Sequence, residues 1–346
     1  MRIVETGAKV ERVAGFLRTL QLGLRRRGVR QAAWALGLVV AAVWPLALTS
    51  VYFHTVAVLA GIYILLGLGM NVLMGNAGLV HAGYAAFWGI GAYVVAILTT
   101  RFELSFWLAL PAASIAAAVL AVAIGVPAIR VSGLYFVLVM LGFGEIFQLA
   151  MTNWDYVGGP NGLYGIPAPS VGQLVLQTPQ QLYWFVLAFV VASMLIMHRL
   201  SNSRIGRAWN YLREDEVAAQ VLGVNPVWGK LQAALLGGLW AGVAGALFAV
   251  RQTAVAPTSF TFLESFIIIL IVAIGGLRSL PGTVLGTAAI IVLPEVLRPL
   301  AEFRFFVFGA MIVLMMLFRP TGLWPGRARR HEEIADEWVN AQATSA

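Results

Sequence analysis

The sequence has little of what chemistry at a soluble active site requires. Cysteine is absent, lysine occurs twice, and charged residues make up 11% of the 346 positions. Without cysteine there are no disulfides, no thiolate metal sites and no cysteine nucleophiles. Ordinary soluble domains carry roughly 25% charged residues. The composition therefore excludes a soluble enzyme, a disordered chain and a fibrous protein.

Apolar residues make up 60% of the chain. They occur in blocks of up to about 20 residues, the length of a helix that crosses about 30 Å of hydrocarbon with its backbone hydrogen-bonded. We predict an all-α, polytopic transmembrane helical bundle of about 10 spans (8–10), since the eighth and ninth blocks are short enough to be half-helices or a re-entrant hairpin. The blocks lie at 31–48, 55–74, 82–99, 106–129, 133–152, 181–198, 231–250, 262–277, 282–297 and 304–318.

The basic residues predict the orientation of these spans. In a ten-span chain, 19 of the 23 lysines and arginines fall in connections on one side and four on the other. Because cytoplasmic connections are the ones enriched in lysine and arginine, both termini are predicted to be cytoplasmic. The surplus of positive charge is thereby explained by topology, and no nucleic-acid partner is expected.

The polar stretches divide the chain into three parts. Residues 1–30 form a basic N-terminal segment, predicted as an amphipathic helix on the lipid surface, with a solvated basic tail as the alternative. Residues 31–318 form the transmembrane domain and 319–346 a cytoplasmic tail. Within the domain, two connections are long: a periplasmic loop at 153–180, rich in glycine and proline, and a cytoplasmic loop at 199–230.

Enzyme motifs are missing from the sequence. A phosphate-binding loop needs two glycines and a lysine at fixed spacing, followed by serine or threonine. The nearest match, at Lys230, has the wrong glycine spacing and Leu231 in place of the hydroxyl residue. The four histidines do not have the spacing of a zinc hydrolase, and there is no G-x-S-x-G motif. We therefore predict no catalytic residue, no metal ligand and no cofactor bound by this chain.

Glu145 stands inside the fifth apolar block, and because an ionisable group in a span is a functional candidate, we count it among the candidates for the substrate pathway. It fits two interpretations. It could be the coupling carboxylate of a proton-driven secondary transporter, or a buried acid that hydrogen-bonds to a neighbouring helix. A single carboxylate makes a poor proton relay, which weighs against the first.

A glycine-rich interruption between the second and third blocks carries four polar or amphipathic side chains. Irregular backbone inside a membrane protein is tolerated where it lines a cavity or is buried in protein. The four residues are candidates for the substrate pathway, with interhelical hydrogen bonds as the alternative. They are Asn71, Asn76, His81 and Tyr84.

The cytoplasmic loop contains a compact helical pattern at 203–224. It reads as one or two short helices that end at Gly223, with Leu212, Ala219 and Leu222 on one face. We predict a docking surface for a cytoplasmic partner, with a membrane-skimming helix as the alternative. The small side chain of Ala219 is expected to allow close seating in the partner. The predicted docking residues are Arg204, Gly206, Arg207, Arg213, Glu214, Asp215, Glu216, Ala218, Ala219 and Gly223.

This loop closely resembles the coupling loop of permease subunits of branched-chain amino acid ABC importers, the LivM kind. Other motifs resemble the same family, in the same order, over roughly residues 55–325. They include GLGMNVLMGNAG at 67–78, AAFWGIGAY at 85–93, GGPNGL at 158–163, and further matches at 133–136, 143–146, 260–265, 275–277, 282–286 and 319–323. The chain departs from the family pattern at His81, Tyr84 and Val157.

The resemblance implies a multi-pass protein of the bacterial inner membrane with the type II importer fold. It would form half of a pore with a second permease (LivH kind) or a second copy of itself. Two cytoplasmic ATPase subunits would bind the ATP and Mg²⁺, and a periplasmic binding protein would deliver the substrate. Branched-chain or other hydrophobic amino acids are the expected substrates, with urea, short amides or aromatic carboxylates as alternatives. A proton-coupled transporter and a membrane-embedded enzyme are the rival classes.

Overall fold

The computed structural model describes residues 51–131, 133–171 and 174–296, together with residues 309, 313, 317, 322–324 and 326. The chain divides between His54 and Thr55, and the contacts discussed below all belong to the second part. The predicted N-terminal segment and first apolar block lie outside the described residues. So do the last block and the C-terminal tail, apart from the single positions just given.

The described part is mainly helical. Its helices are α1 (Val51–Met70), α2 (Tyr84–Thr100), α3 (Phe106–Ala128), α4 (Leu134–Asn153), α5 (Pro179–Ser201), α6 (Arg204–Glu214), α7 (Glu216–Val221), α8 (Pro226–Gln252), α9 (Phe262–Gly275), α10 (Leu280–Thr287) and α11 (Leu293–Val296). Two π-helices, Asn71–Asn76 and Ala288–Val292, continue α1 and α10, and 3₁₀ turns lie at Asp155–Val157, Gly159–Asn161 and Pro257–Ser259.

Side-chain caps determine where the long helices begin. At α5, Thr178 and Gln181 form a capping box in which each side chain accepts a hydrogen bond from the other's backbone N–H. At α8, the Asn225 side chain accepts from the backbone N–H of Trp228. Both helices have proline as their first residue, where the missing N–H costs nothing.

A helix stands at each of the eight predicted blocks between residues 55 and 297. Among the described residues, six helical segments are long and apolar enough to cross a membrane: Val51–Asn76, Phe106–Ala128, Leu134–Asn153, Pro179–Ser201, Pro226–Gln252 and Pro257–Gly275. Tyr84–Thr100 and Leu280–Glu295 are apolar but shorter. The helical membrane character is thus confirmed, while the count of about ten spans and the placement of the termini stay predictions.

Four short strands, which the sequence pattern does not reveal, accompany the helices. The strands β1 (Leu163–Tyr164) and β4 (Ala254–Val255) pair antiparallel, as do β2 (Ser170–Val171) and β3 (Leu174–Val175). The first pair joins the 153–180 loop to the segment that follows α8. The strands of this pair are about ninety residues apart in sequence, and each is only two residues long. Strands this short show no alternation of polar and apolar residues, so the sequence pattern does not predict them.

Helix α8 lies at the centre and packs against α2 and α3 through small residues. A β-carbon at Gly242 would fall 2.6 Å from the Cα of Ser114 on α3, and one at Gly91 on α2 would fall 2.6 Å from the Cα of Gly242. These backbones therefore touch. Close approach of this kind is how small residues hold membrane helices together, since lipid is as apolar as the side chains themselves.

Helices α9 and α10 form a hairpin joined by residues 276–279. The carbonyl of Gly275 would lie 2.5 Å from a β-carbon at Gly282, and a β-carbon at Gly286 would lie 3.0 Å from the Cα of Gly275. The hairpin contains the two short predicted blocks. The loop that joins its arms carries Arg278, which adopts a left-handed conformation with φ of 62°.

Candidate functional site

The loop at 199–230, predicted to be cytoplasmic, folds as two short helices, α6 and α7, which we call the coupling segment. The Ser203 side chain caps α6. Asp215 separates the helices, and its carboxylate accepts hydrogen bonds from the backbone N–H groups of Val217 (2.7 Å) and Ala218 (3.0 Å) at the start of α7. Gly223, with φ of 81°, follows the end of α7. The predicted helices and their end at Gly223 are both present.

Trp209 anchors the coupling segment to α8. Its ring is fully buried, and its indole N–H donates a 2.8 Å hydrogen bond to the carbonyl of Gly229 in the first turn of α8. Leu212 is buried beside it. Gly206 is buried as well, where a β-carbon would lie 2.6 Å from the carbonyl of Leu200. The segment is therefore seated on the membrane helices by one face.

Two expectations about that face are wrong. Ala219 is 1% exposed, so its small side chain packs inward and offers no seat to a partner. Leu222 is 67% exposed and does not share the buried face of Leu212 and Ala219. The reason is the extended residue Asp215, with φ of −155° and ψ of 117°, which breaks the helix so that one periodicity does not run from Leu212 to Leu222.

The outward side of the segment combines charge with apolar surface. Of the predicted docking residues, Arg204, Arg207, Glu214, Asp215, Glu216, Ala218 and Gly223 are exposed, and Arg213 is half-buried. Five exposed apolar side chains accompany them, and we call these the apolar ridge: Val217, Val221, Leu222, Val227 and Trp228. An open cleft of about 520 Å³ runs beside the ridge, between Gln220, Val224 and Pro226.

Lys230 and Glu216 form an ion pair on the wall of that cleft. The lysine side chain is 11% exposed and the glutamate side chain 47% exposed. Burying an ammonium group is costly without a counter-charge. The Glu216 carboxylate therefore neutralises the buried ammonium group of Lys230. The same ion pair links α7 to α8.

Two arginines connect α6 with other segments. Arg213, on α6, donates from Nη1 to the carbonyl of Gly75 in the first π-helix, at 2.6 Å. Arg278, in the α9–α10 loop, donates from Nη2 to Oδ1 of Asn210 on α6, at 2.7 Å, and its Nη1 lies 3.8 Å from Oε1 of Glu214. Arg213 thus links the coupling segment to the first π-helix, and Arg278 links the α9–α10 loop to the coupling segment.

Asn71 joins the π-helix to the same loop. Its Oδ1 accepts a 2.9 Å hydrogen bond from the backbone N–H of Arg278. Its Nδ2 donates to the hydroxyl of Thr283 at 3.0 Å and to the carbonyl of Ser279 at 3.3 Å. The side chain is buried. We call Asn71, Gly75, Arg278, Ser279 and Thr283 the Asn71 cluster.

The other predicted pathway residues lie inside the subunit. Asn76 is buried. Tyr84 is fully buried, and its hydroxyl donates a 2.8 Å hydrogen bond to the carbonyl of Gly237 on α8. The His81 ring packs 4.8 Å from that of Phe87, and burial lowers the pKa of His81 to about 3, so that its imidazole is neutral at ordinary pH.

Glu145 is placed differently. It lies on the exposed side of α4, a helix that buries little of its apolar surface within this chain. Leu138, Ile146 and Leu149 are exposed with it. Within one subunit Glu145 is therefore not the buried acid that one interpretation expected.

Several residues that organise these sites have no direct signal in the amino-acid sequence. Arg278 stands in a Gly- and Pro-rich loop, where a lone arginine indicates only a cytoplasmic connection. Trp209 was one apolar residue among others in an amphipathic pattern. Tyr63 on α1 donates a further, partly buried hydrogen bond to the carboxylate of Glu264 on α9. A carboxylate inside an apolar block is the signal that could have identified it.

The chain is similar to permease components of bacterial amino acid transport systems. Residues 52–317 match the family model described as branched-chain amino acid transport system / permease component. The chain is 39% identical over 322 residues to the high-affinity branched-chain amino acid transport system permease protein LivM of Escherichia coli, covering 86% of this chain and 76% of that protein.

Two further relatives are also named as permease proteins of the high-affinity branched-chain amino acid transport system. LivM of Salmonella typhimurium is 39% identical over 312 residues, covering 83% of this chain and 73% of the relative. The E. coli permease LivH is 25% identical over 292 residues, covering 77% of this chain and 92% of the relative. No solved structure matches the chain.

Proposed function

The chain belongs to the family of branched-chain amino acid transport permeases, and on this premise we propose that it is a permease subunit of an ATP-driven importer for branched-chain amino acids. It is a transport subunit, and the hydrolysis of ATP with Mg²⁺ takes place in two cytoplasmic ATPase partners. A periplasmic binding protein delivers the amino acid to the opposite face of the inner membrane.

The coupling segment is the observation that carries this proposal. Its inner face is fixed to α8 by Trp209 and Leu212, whereas its outer face presents the apolar ridge beside charged groups. Apolar contacts surrounded by a polar rim are typical of protein–protein interfaces. We assign the apolar ridge and the exposed members of the predicted docking residues to the ATPase contact.

The second permease is assigned on the similarity to two permeases of one system. LivM and LivH of E. coli are both named as permeases of the high-affinity branched-chain amino acid system, and this chain is similar to each. A partner of the same fold, either a LivH-like permease or a second copy, therefore completes the pore.

The position of the pathway follows from that pairing. A pathway between two permeases is lined by surfaces that are exposed in a single subunit. Glu145 meets this condition, whereas Asn71 and Tyr84 are buried and hydrogen-bonded inside the subunit. We therefore propose Glu145 and its neighbours on α4 as the lining, and interhelical packing as the role of Asn71 and Tyr84.

The proposal is tested by reconstitution. The chain is assembled in proteoliposomes with two ATPases, a LivH-like permease and the binding protein, and uptake of labelled leucine is measured with and without ATP. We expect uptake that requires ATP and that excess isoleucine or valine competes away. Preferential competition by urea, acetamide or benzoate would reassign the substrate. Uptake by the chain alone in a proton gradient would overturn the importer assignment.

Orientation has its own test. Reporter fusions after Arg30, Asn202 and Arg330 are expected to signal a cytoplasmic location, and a fusion near Gly165 a periplasmic one, as the distribution of basic residues requires. A cytoplasmic signal at Gly165 would contradict the orientation and with it the side on which the coupling segment lies.

A further inference from the structure

Helix α6 is connected to two separate parts of the membrane domain by charged hydrogen bonds. Arg213 carries one link, to the Gly75 carbonyl of the first π-helix, and Arg278 carries the other, from the α9–α10 loop to Asn210. Both donor–acceptor distances are at or below 2.7 Å. Hydrogen bonds with a charged donor are stronger and more directional than neutral ones.

The two far ends of these links are themselves joined. Asn71, in the same π-helix as Gly75, accepts from the backbone N–H of Arg278 and donates into the first turn of α10. Helix α6, the first π-helix and the α9–α10 loop are therefore connected to one another by a closed ring of hydrogen bonds. Residues that are about 70 to 210 positions apart in sequence lie in direct contact there.

The ring is tightly packed at its centre. A β-carbon at Gly75 would collide with Oδ1 of Asn71 and lie 3.0 Å from the backbone nitrogen of Arg278. On the other side of the loop, the backbone N–H of Gly326 donates to the carbonyl of Leu277, and a β-carbon at Gly326 would lie 2.7 Å from the Arg278 Cβ. A displacement of α6 that pulls on the Arg278 side chain is therefore transmitted to the loop backbone.

The two segments that the arginine side chains connect to α6, namely the end of α1 and the α9–α10 hairpin, each continue into a π-helix. The first π-helix contains Gly75, and the second, Ala288–Val292, follows α10. π-helical turns are often found at functional sites, where a helix changes its register or direction. The Arg213 link therefore ends within the first π-helix, whereas the loop that carries Arg278 is joined to the second π-helix through α10.

We propose that Arg278 is a positioning residue that transmits movement of α6 to the α9–α10 hairpin and, through Asn71, to the first π-helix. The proposal rests on the proposed function, since an ATPase partner must move α6. It assigns to Arg278 a role distinct from docking: its side chain is 10% exposed and faces Asn210 and Glu214 within the subunit.

The test compares Arg278→Gln and Asn210→Ala, each of which removes the 2.7 Å hydrogen bond from one side. Arg130→Gln is the matched control, because Arg130 is an exposed arginine at the end of α3, outside the ring. Each variant is reconstituted in the complete importer, and the measured quantity is the number of leucine molecules taken up per ATP hydrolysed.

Both ring variants are expected to assemble and to hydrolyse ATP, with the uptake-to-hydrolysis ratio lowered about tenfold, the size expected for loss of one hydrogen bond to a charged group. The double variant is expected to fall no further than Arg278→Gln alone, because both changes break the same hydrogen bond and Arg278→Gln also removes the contact with Glu214. Arg130→Gln is expected to keep the wild-type ratio.

The outcomes separate the two proposals. If the wild-type complex shows no ATP-dependent uptake, the proposed function fails. If the wild type is coupled and both ring variants keep its ratio, the Arg278 link is overturned. Loss of assembly in both ring variants also overturns it, since the bond then serves folding alone.

Discussion

Trp209 and Gly229 are joined by a 2.8 Å hydrogen bond from the indole N–H of one to the backbone carbonyl of the other. It is the point at which α6 is fixed to the first turn of α8. Because the ring is fully buried, it contributes by packing as well as by the hydrogen bond.

We expect Trp209→Ala to release the coupling segment, since truncating a buried tryptophan costs about 3–5 kcal/mol. Trp209→Phe retains most of the packing and loses about 1 kcal/mol with the hydrogen bond. The measurement is the rate of limited proteolysis between residues 204 and 224, together with the amount of ATPase that co-purifies. Equal protease resistance in Trp209→Ala and the wild type would contradict this role.

The Lys230–Glu216 pair predicts an asymmetry between its two partners. Glu216→Gln leaves a buried ammonium group without its counter-charge, whereas Lys230→Met leaves only a half-exposed carboxylate. An uncompensated buried charge costs several kcal/mol, and an exposed one little. Thermal unfolding in detergent is therefore expected to show a lower Tm for Glu216→Gln than for Lys230→Met. The reverse order would show that the ion pair does not compensate Lys230.

Tyr84 provides a test of packing against pathway. Tyr84→Phe removes the hydrogen bond to Gly237 without changing the ring, and such interhelical bonds average about 0.6 kcal/mol in membrane proteins. We expect a small loss of assembled complex, a larger one in Tyr84→Ala, and an unchanged preference between leucine and valine in both. A changed preference with normal assembly would return Tyr84 to the substrate pathway.

Glu145 is the only charged residue of α4, and a proton relay needs further titratable groups. Uptake by Glu145→Gln is accordingly expected to remain ATP-driven and insensitive to a proton ionophore. Glu145→Lys, which reverses the charge on the proposed lining, is expected to lower the rate of uptake while ATP hydrolysis continues. Ionophore-sensitive uptake that disappears in Glu145→Gln would favour the proton-coupled class.

The sequence was informative wherever a structural feature is local. Each of the eight apolar blocks between residues 55 and 297 marked a helix, and Gly223 marked the end of α7 because its left-handed backbone suits glycine. The helical nature of the coupling segment followed from a pattern within some twenty residues.

Contacts between distant segments could not be predicted in this way. Asn71 and Arg278 are 207 positions apart, and nothing near either residue encodes the other. The prediction that Leu222 lies on the buried face was wrong for a related reason. Helical periodicity assumes an unbroken helix, but Asp215 has an extended backbone that separates α6 from α7, and its side chain caps α7. That capping depends on a single side chain, which an apolar pattern does not reveal.

The first π-helix also bears on how chain length varies among relatives. Its backbone closes hydrogen bonds over five residues, as from Ala77 N–H to the Val72 carbonyl. In an ordinary span, a one-residue deletion rotates everything beyond it by roughly 100° and turns the buried face outward. Here the deletion would convert a wide turn into an α-helical one and leave both flanks in place. Homologous permeases are therefore expected to gain or lose single residues at 71–76 more readily than elsewhere in α1.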